Sequence, residues 1–90
     1  MQTQRVTAKD IDAGQIRVPR GTKALLPAER TQIEVSVLGK RMSARWDPRN
    51  GPDRPRSGII RFGRGSLDHL VNEKQVFNVR RSSDGILELT

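Results

Sequence analysis

Arginine and proline crowd the stretch Arg45-Trp46-Asp47-Pro48-Arg49-Asn50-Gly51-Pro52-Asp53-Arg54-Pro55-Arg56-Ser57. The planar fork of arginine pairs bidentately with a phosphate or with the O6 and N7 acceptors of guanine, and asparagine pairs likewise with adenine. Arg49, Asn50, Arg54 and Arg56 are therefore the leading candidates for nucleic-acid contact. Pro and Gly forbid regular helix or ladder here, so the chain must loop out. Pro48, Pro52 and Pro55 also narrow the conformations of the free loop, so less ordering entropy opposes binding. Some of these arginines could do no more than neutralise phosphate, or pair with Asp47 and Asp53. The two aspartates could instead accept from cytosine amino groups, the less favoured use.

Charge is concentrated around this loop. The 90-residue chain carries a formal charge of +7, of which residues 40–64 contribute +6, residues 1–39 +2 and residues 65–90 −1. A single basic patch points to a polyanion docking face, whereas a solvated loop with no partner is the bland alternative. A second cluster, Lys9, Asp10, Asp12, Gln15 and Arg17, mixes donors and acceptors around Gly14. A nonspecific phosphate binder gains nothing from acids there, because they weaken attraction to the backbone. Acids fit if they read cytosine or hold a neighbouring Lys or Arg. Asp10 reads better as a turn cap, and Asp12 stays open.

Catalysis finds no foothold. Glu34 is followed by Val-Ser-Val-Leu-Gly-Lys, which lacks the acid-x-lysine step of a metal-dependent nuclease hairpin. His69 is the single histidine and lies five residues from Lys74, so a His-x-Lys phosphodiesterase motif fails as well. Without cysteine or a second histidine, a zinc site has no ligand set, and no cofactor is expected. With three aromatics in all, Trp46, Phe62 and Phe77, a stacking platform for single strands is disfavoured. No apolar run approaches membrane-spanning length, and the opening Met-Gln-Thr-Gln-Arg has no apolar core for a signal peptide. A soluble, cytoplasmic protein that does not engage membranes is the expectation.

The elements that must position these residues read mostly as strands. Gln15–Val18 puts Ile16 and Val18 on one face, with Gln15 and Arg17 on the other. Residues 33–37 alternate and then turn at Leu38-Gly39-Lys40. Residues 41–46 alternate again, with Met42, Ala44 and Trp46 inward and Arg41, Ser43 and Arg45 outward. Residues 59–62, 76–79 and 86–89 complete six strands, and 5–7 is a weaker seventh. Short helices are expected over 22–26, stopped by Pro27, and after Ser66, carrying Leu67, Leu70 and Val71. Many short strands with two short helices argue for one small barrel domain over residues 1–90.

The order of these pieces resembles the B3 DNA-binding domain of plant transcription factors and of bacterial restriction endonucleases such as EcoRII, BfiI and NgoAVII. Thr7-Ala8-Lys9-Asp10-Ile11 resembles the family's opening stretch. Ile16-Arg17-Val18-Pro19-Arg20, ending at Leu25-Leu26-Pro27, is similar to its "I-P-K … F-P" segment. Gly39-Lys40 and the strand to Trp46 resemble its "G-K-x-W" hairpin, and Ser57-Gly58, Gly65-Ser66-Leu67 and residues 76–79 resemble the later half. Where plant members carry Gly-Asp before the sixth strand this chain has Glu73-Lys74-Gln75, which fits a compact bacterial member better.

The resemblance implies a mainly β, seven-stranded open pseudobarrel with two short helices that grips the DNA major groove between two arms. Residues 9–17 would form the first arm and residues 47–56 the second. Expected DNA-binding residues are Lys9, Asp12, Gln15, Arg17, Arg41, Arg45, Asp47, Arg49, Asn50, Asp53, Arg54 and Arg56, with Arg20 and Lys23 lying away from the arms. The expected partner is double-stranded DNA, read by a monomeric specificity domain whose nuclease centre lies in another domain or subunit. Two rival readings stand beside it. Gly14-Gln15-Ile16-Arg17-Val18-Pro19 is similar to the "G-Q-I-x-I-P" of AbrB-like swapped-hairpin regulators and antitoxins, which are dimers of about half this length. A small RNA-binding barrel is the other.

Overall fold

A computed structural model describes residues 1–50 and 56–90. The protein is mainly β, and its strands form one sheet curled into a half-barrel. The strands are β1 (Gln15–Val18), β2 (Thr31–Val37), β3 (Lys40–Asp47), β4 (Gly58–Arg61), β5 (Val79–Arg81) and β6 (Leu87–Leu89). Their order across the sheet is β1-β4-β3-β2-β6-β5. All neighbours are antiparallel except β2 and β6. Alternation fixes the inner face. Ile16, Val18, Val35, Val37, Ala44, Trp46, Ile60, Val79, Leu87 and Leu89 are buried in one apolar cluster, together with Phe77 and Leu67. Trp46 is core, 1% exposed, with its indole Nε1 donating to the Pro27 carbonyl at 2.8 Å.

The expected seventh strand over residues 5–7 does not form. The segment before α1 instead serves as a strap across both sheet edges. Gln4 N donates to Arg17 O on the β1 side, and Val79 N donates to Met1 O on the β5 side. Between them Thr3 N donates to Phe77 O and Val6 N to Gln75 O. Edge groups that would otherwise be open, the Arg17 carbonyl on β1 and the Val79 amide on β5, are thereby paired. This strap also displaces the strand expected over 76–79. Residues 75–78 bond to the strap and to Thr90, leaving Val76 exposed, and β5 begins only at Val79.

Neither expected helix forms as an α-helix. Thr22–Leu25 is a single 3-10 turn, capped by no side chain and stopped before Pro27. After Ser66 the chain makes successive turns with bonds such as Ser66 N to Gly63 O and Leu70 N to Leu67 O. The Ser66 hydroxyl donates back to Phe62 O, and His69 sits at φ 65°, which breaks a right-handed helix. The apolar spacing there still works, because Leu67 and Val71 are buried. The one α-helix among the described residues, α1 (Ala8–Ala13), lies where a loop was expected. Thr7 caps it, accepting from Asp10 N at 3.1 Å, while the Asp10 carboxylate accepts from Thr7 N at 3.0 Å. That reciprocal pair is a capping box written as Thr-x-x-Asp. Among the described residues, no helix is long and apolar enough to cross a membrane.

Candidate nucleic-acid interface

Strand register turns scattered polar residues into one surface. Gln15 lies opposite Arg61, Arg61 opposite Arg45, and Arg45 opposite Gln32, across β1-β4-β3-β2. Directly opposed residues point to the same side of a sheet, so these four form a row on the outer face. One step of two residues along, Arg17, Ile59 and Asp47 form a second row. Ile59 is buried yet lies outside the main apolar cluster, as expected for a residue covered on the outer face. The outer face of β1, β4 and β3 is therefore arginine-rich, with a small apolar floor.

Two buried carboxylates organise it. Asp47, 7% exposed, accepts through Oδ2 from Arg61 Nη1 at 2.8 Å and from Arg30 Nη2 at 3.2 Å. Its Oδ1 accepts from Arg49 N at 2.9 Å, which fixes Arg49 in a left-handed turn at φ 53°. The Arg61 hydrogen bond, then the Arg30 one, hold the Asp47 carboxyl far below its ordinary value of 3.8, against the opposing effect of burial. Asp47 is thus engaged with Arg61 and Arg30, outside the loop, rather than with the side chains of the loop arginines expected to pair with it.

Asp10 plays the same part on the other side. It accepts from Gln15 Nε2 at 3.0 Å and from Arg17 Nε at 3.1 Å, besides capping α1. Burial pushes its carboxyl up, but the bonds from Gln15, the Thr7 amide and Arg17 together outweigh burial and leave it lowered. Arg17 is further held by Gln4 Oε1 at 2.7 Å and by the Arg5 carbonyl at 3.0 Å. Most of its donors are already spent inside the protein. Among the described residues Gln15 is bonded only through its Nε2, so its Oε1 is left for outside use. Gln4 also bonds Ser57, tying the strap to the chain just before β4.

The base of the second arm is pinned. Lys23 Nζ donates to Asn50 Oδ1 at 3.1 Å and to the Arg56 carbonyl at 2.9 Å, linking the two sides of the loop. Lys23 therefore belongs to the arm, a correction to its expected remote position. Its separation of 27 residues from Asn50 hid the contact. The Asn50 Nδ2 donates to Ala28 O at 3.1 Å, so this amide is occupied at both ends. Arg56 is exposed, and Asp53 and Arg54 lie outside the described residues. Lys9 and Asp12 are exposed on α1. Arg41 is at the far end of β3 with Nε 3.5 Å from Glu34, one strand-length from the second arm.

Sequence reasoning passed over Arg30, Gln32 and Arg61. Arg61 lay within the basic stretch, and its position two residues after Ile59 already set its face; Arg30 and Gln32 become neighbours only through the β2-β3 register. A scan against models of protein families finds no match for the chain, and a search of curated proteins finds none.

Proposed function

We propose that this chain is a sequence-specific double-stranded DNA-recognition domain of the B3-like pseudobarrel type, serving a nuclease whose cleavage centre lies in another domain or subunit. The observation that carries the proposal is that the bases of the two arms lie at the two ends of one arginine-rich sheet face. The α1 end meets β1 at Gln15, and the second arm joins β3 to β4 at the opposite end of the same short strands. The Gln15–Arg61–Arg45–Gln32 row crosses the sheet at the α1 end, and the Arg17–Ile59–Asp47 row lies next to the second arm. Four residues of β4 span roughly 13 Å, close to the width of a major groove at about 12 Å.

In this arrangement the two arms reach base edges while the sheet face meets the backbone. Arg49, held at its amide by Asp47, and Arg54 and Arg56 beyond it are the proposed readers of the second arm. Gln15, steered by Asp10, is the proposed reader of the first. Arg17 and Asn50 act chiefly by holding the arms in place. Lys9 contributes charge, Asp12 and Asp53 an acceptor or a local ion pair, and Arg41 a peripheral phosphate contact. The swapped-hairpin reading fits less well, because those dimeric domains are about half the length of this 90-residue chain.

The test is competition at one salt concentration between duplex DNA and a structured RNA of equal length. Duplex DNA should win by at least tenfold, bound by a monomer and left uncut in Mg²⁺. Equal or stronger RNA binding would favour the RNA-barrel reading instead.

A further inference from the structure

Cross-strand pairs of like charge destabilise a sheet when directly opposed. Arg45 and Arg61 are such a pair. Asp47 relieves only part of the repulsion. Its Oδ2 is shared by Arg61 and Arg30, and its Oδ1 is taken by the Arg49 amide. Arg45 forms no ion pair and no side-chain hydrogen bond among the described residues. Three guanidiniums and one carboxylate leave an excess of two positive charges around one groove. Arg30, Thr31, Gln32, Arg45 and Arg61 line it, and its volume is about 400 Å³.

We infer that this groove seats one oxyanion, a phosphodiester of the DNA backbone, between Arg45 and Arg61, with Asp47 as the positioning residue. The inference rests on the DNA reading above and adds where the backbone docks and which carboxylate prepares the seat. Asp47 tethers one Arg61 donor, and the rest of this half-exposed guanidinium makes no side-chain hydrogen bond among the described residues, which leaves donors for a phosphate. An anion placed there quenches the Arg45–Arg61 repulsion that the protein alone leaves in place. Gln32, at the end of the row, adds an amide donor that pairs with a phosphate oxygen. Such a seat fixes the register of the protein on the duplex and carries no sequence information.

The experiment measures duplex affinity against salt for the intact chain and for Arg45→Gln, Arg61→Gln and Asp47→Asn, with thermal melting to verify folding. Arg45→Gln should weaken every duplex by the same factor, about five- to tenfold, and lower the salt slope by about 1. Asp47→Asn is the sharper case, because it adds a net positive charge. Bulk attraction predicts tighter binding, whereas loss of the positioned fork predicts weaker binding, and weaker binding is expected. Should Asp47→Asn fail to fold, a titration of the intact chain with inorganic phosphate, followed through the arginine Nε–H resonances, supplies the test. Arg45 and Arg61 should shift together at millimolar phosphate, and duplex DNA should compete. Phosphate binding without competition would mark a free-phosphate site and overturn the backbone assignment. An unchanged slope in Arg45→Gln, with duplex binding intact, would overturn the seat and leave DNA recognition standing. Absence of duplex binding by the intact chain would instead remove the reading on which the seat rests.

Discussion

Gly14→Ala should cost about 2–5 kcal/mol, a large share of the roughly 5–15 kcal/mol that holds a small domain together. Two effects add. Gly14 ends α1 at φ 69°, where a side chain is strained, and a Cβ there would stand 1.7 Å from the Gly63 carbonyl oxygen. Relief by backbone movement is blocked, because Phe62 N donates to Gly14 O at 2.8 Å and ties the same two segments together. Gly58→Ala tests a softer version, since its Cβ would meet the Trp46 ring at 2.1 Å while its backbone is unstrained. Gly21 is the control. It sits at φ −63° with nothing within 4 Å of an added Cβ, so Gly21→Ala should be neutral or stabilising by a few tenths of a kcal/mol. Urea unfolding followed by Trp46 fluorescence measures all three. Equal midpoints for Gly14→Ala and Gly21→Ala would contradict the close approach of α1 and the turn after β4.

Affinity for duplex DNA should fall about a thousandfold between 50 and 200 mM salt. Contact with roughly 5–7 phosphates gives a slope of log K against log salt of about −5 to −6. In the proposed reading these contacts come from the arginine row together with the two arms. Arg80→Ala should leave that slope unchanged. Arg80 lies on β5, four strands from β3's partner β4 in the sheet order, and is paired with Glu88 at 3.0 Å. A slope near zero for the intact chain, or an equal loss of slope in Arg80→Ala, would show that the row does not face DNA.

Much of this surface was legible in the chain before folding. Alternation put Met42, Ala44 and Trp46 on the inner face and Arg45 on the outer, and Gln15–Val18 matches β1 residue for residue. Period-two patterns state which face a residue takes but not which strand lies beside it. Pairing of β1 with β4 spans more than forty residues and creates the Gln15–Arg61–Arg45–Gln32 row, which local pattern could not reveal. The capping box at Thr7 and Asp10 was written plainly in the chain, yet Gly14 and the acids beside it read as loop composition. Asp47 shows the same limit. Between Trp46 and Pro48 it looked like a loop acid, and only packing made it the buried node of two arginines.

Recognition of a particular duplex sequence is the central claim, and selection from a pool of randomised duplex DNA tests it most directly. After repeated rounds at physiological salt, one short motif should dominate, and Arg49→Ala should lose about 1–3 kcal/mol on that motif and much less on unrelated duplex. A pool that stays random while total DNA binding persists would reduce the protein to a nonspecific basic barrel and contradict the account.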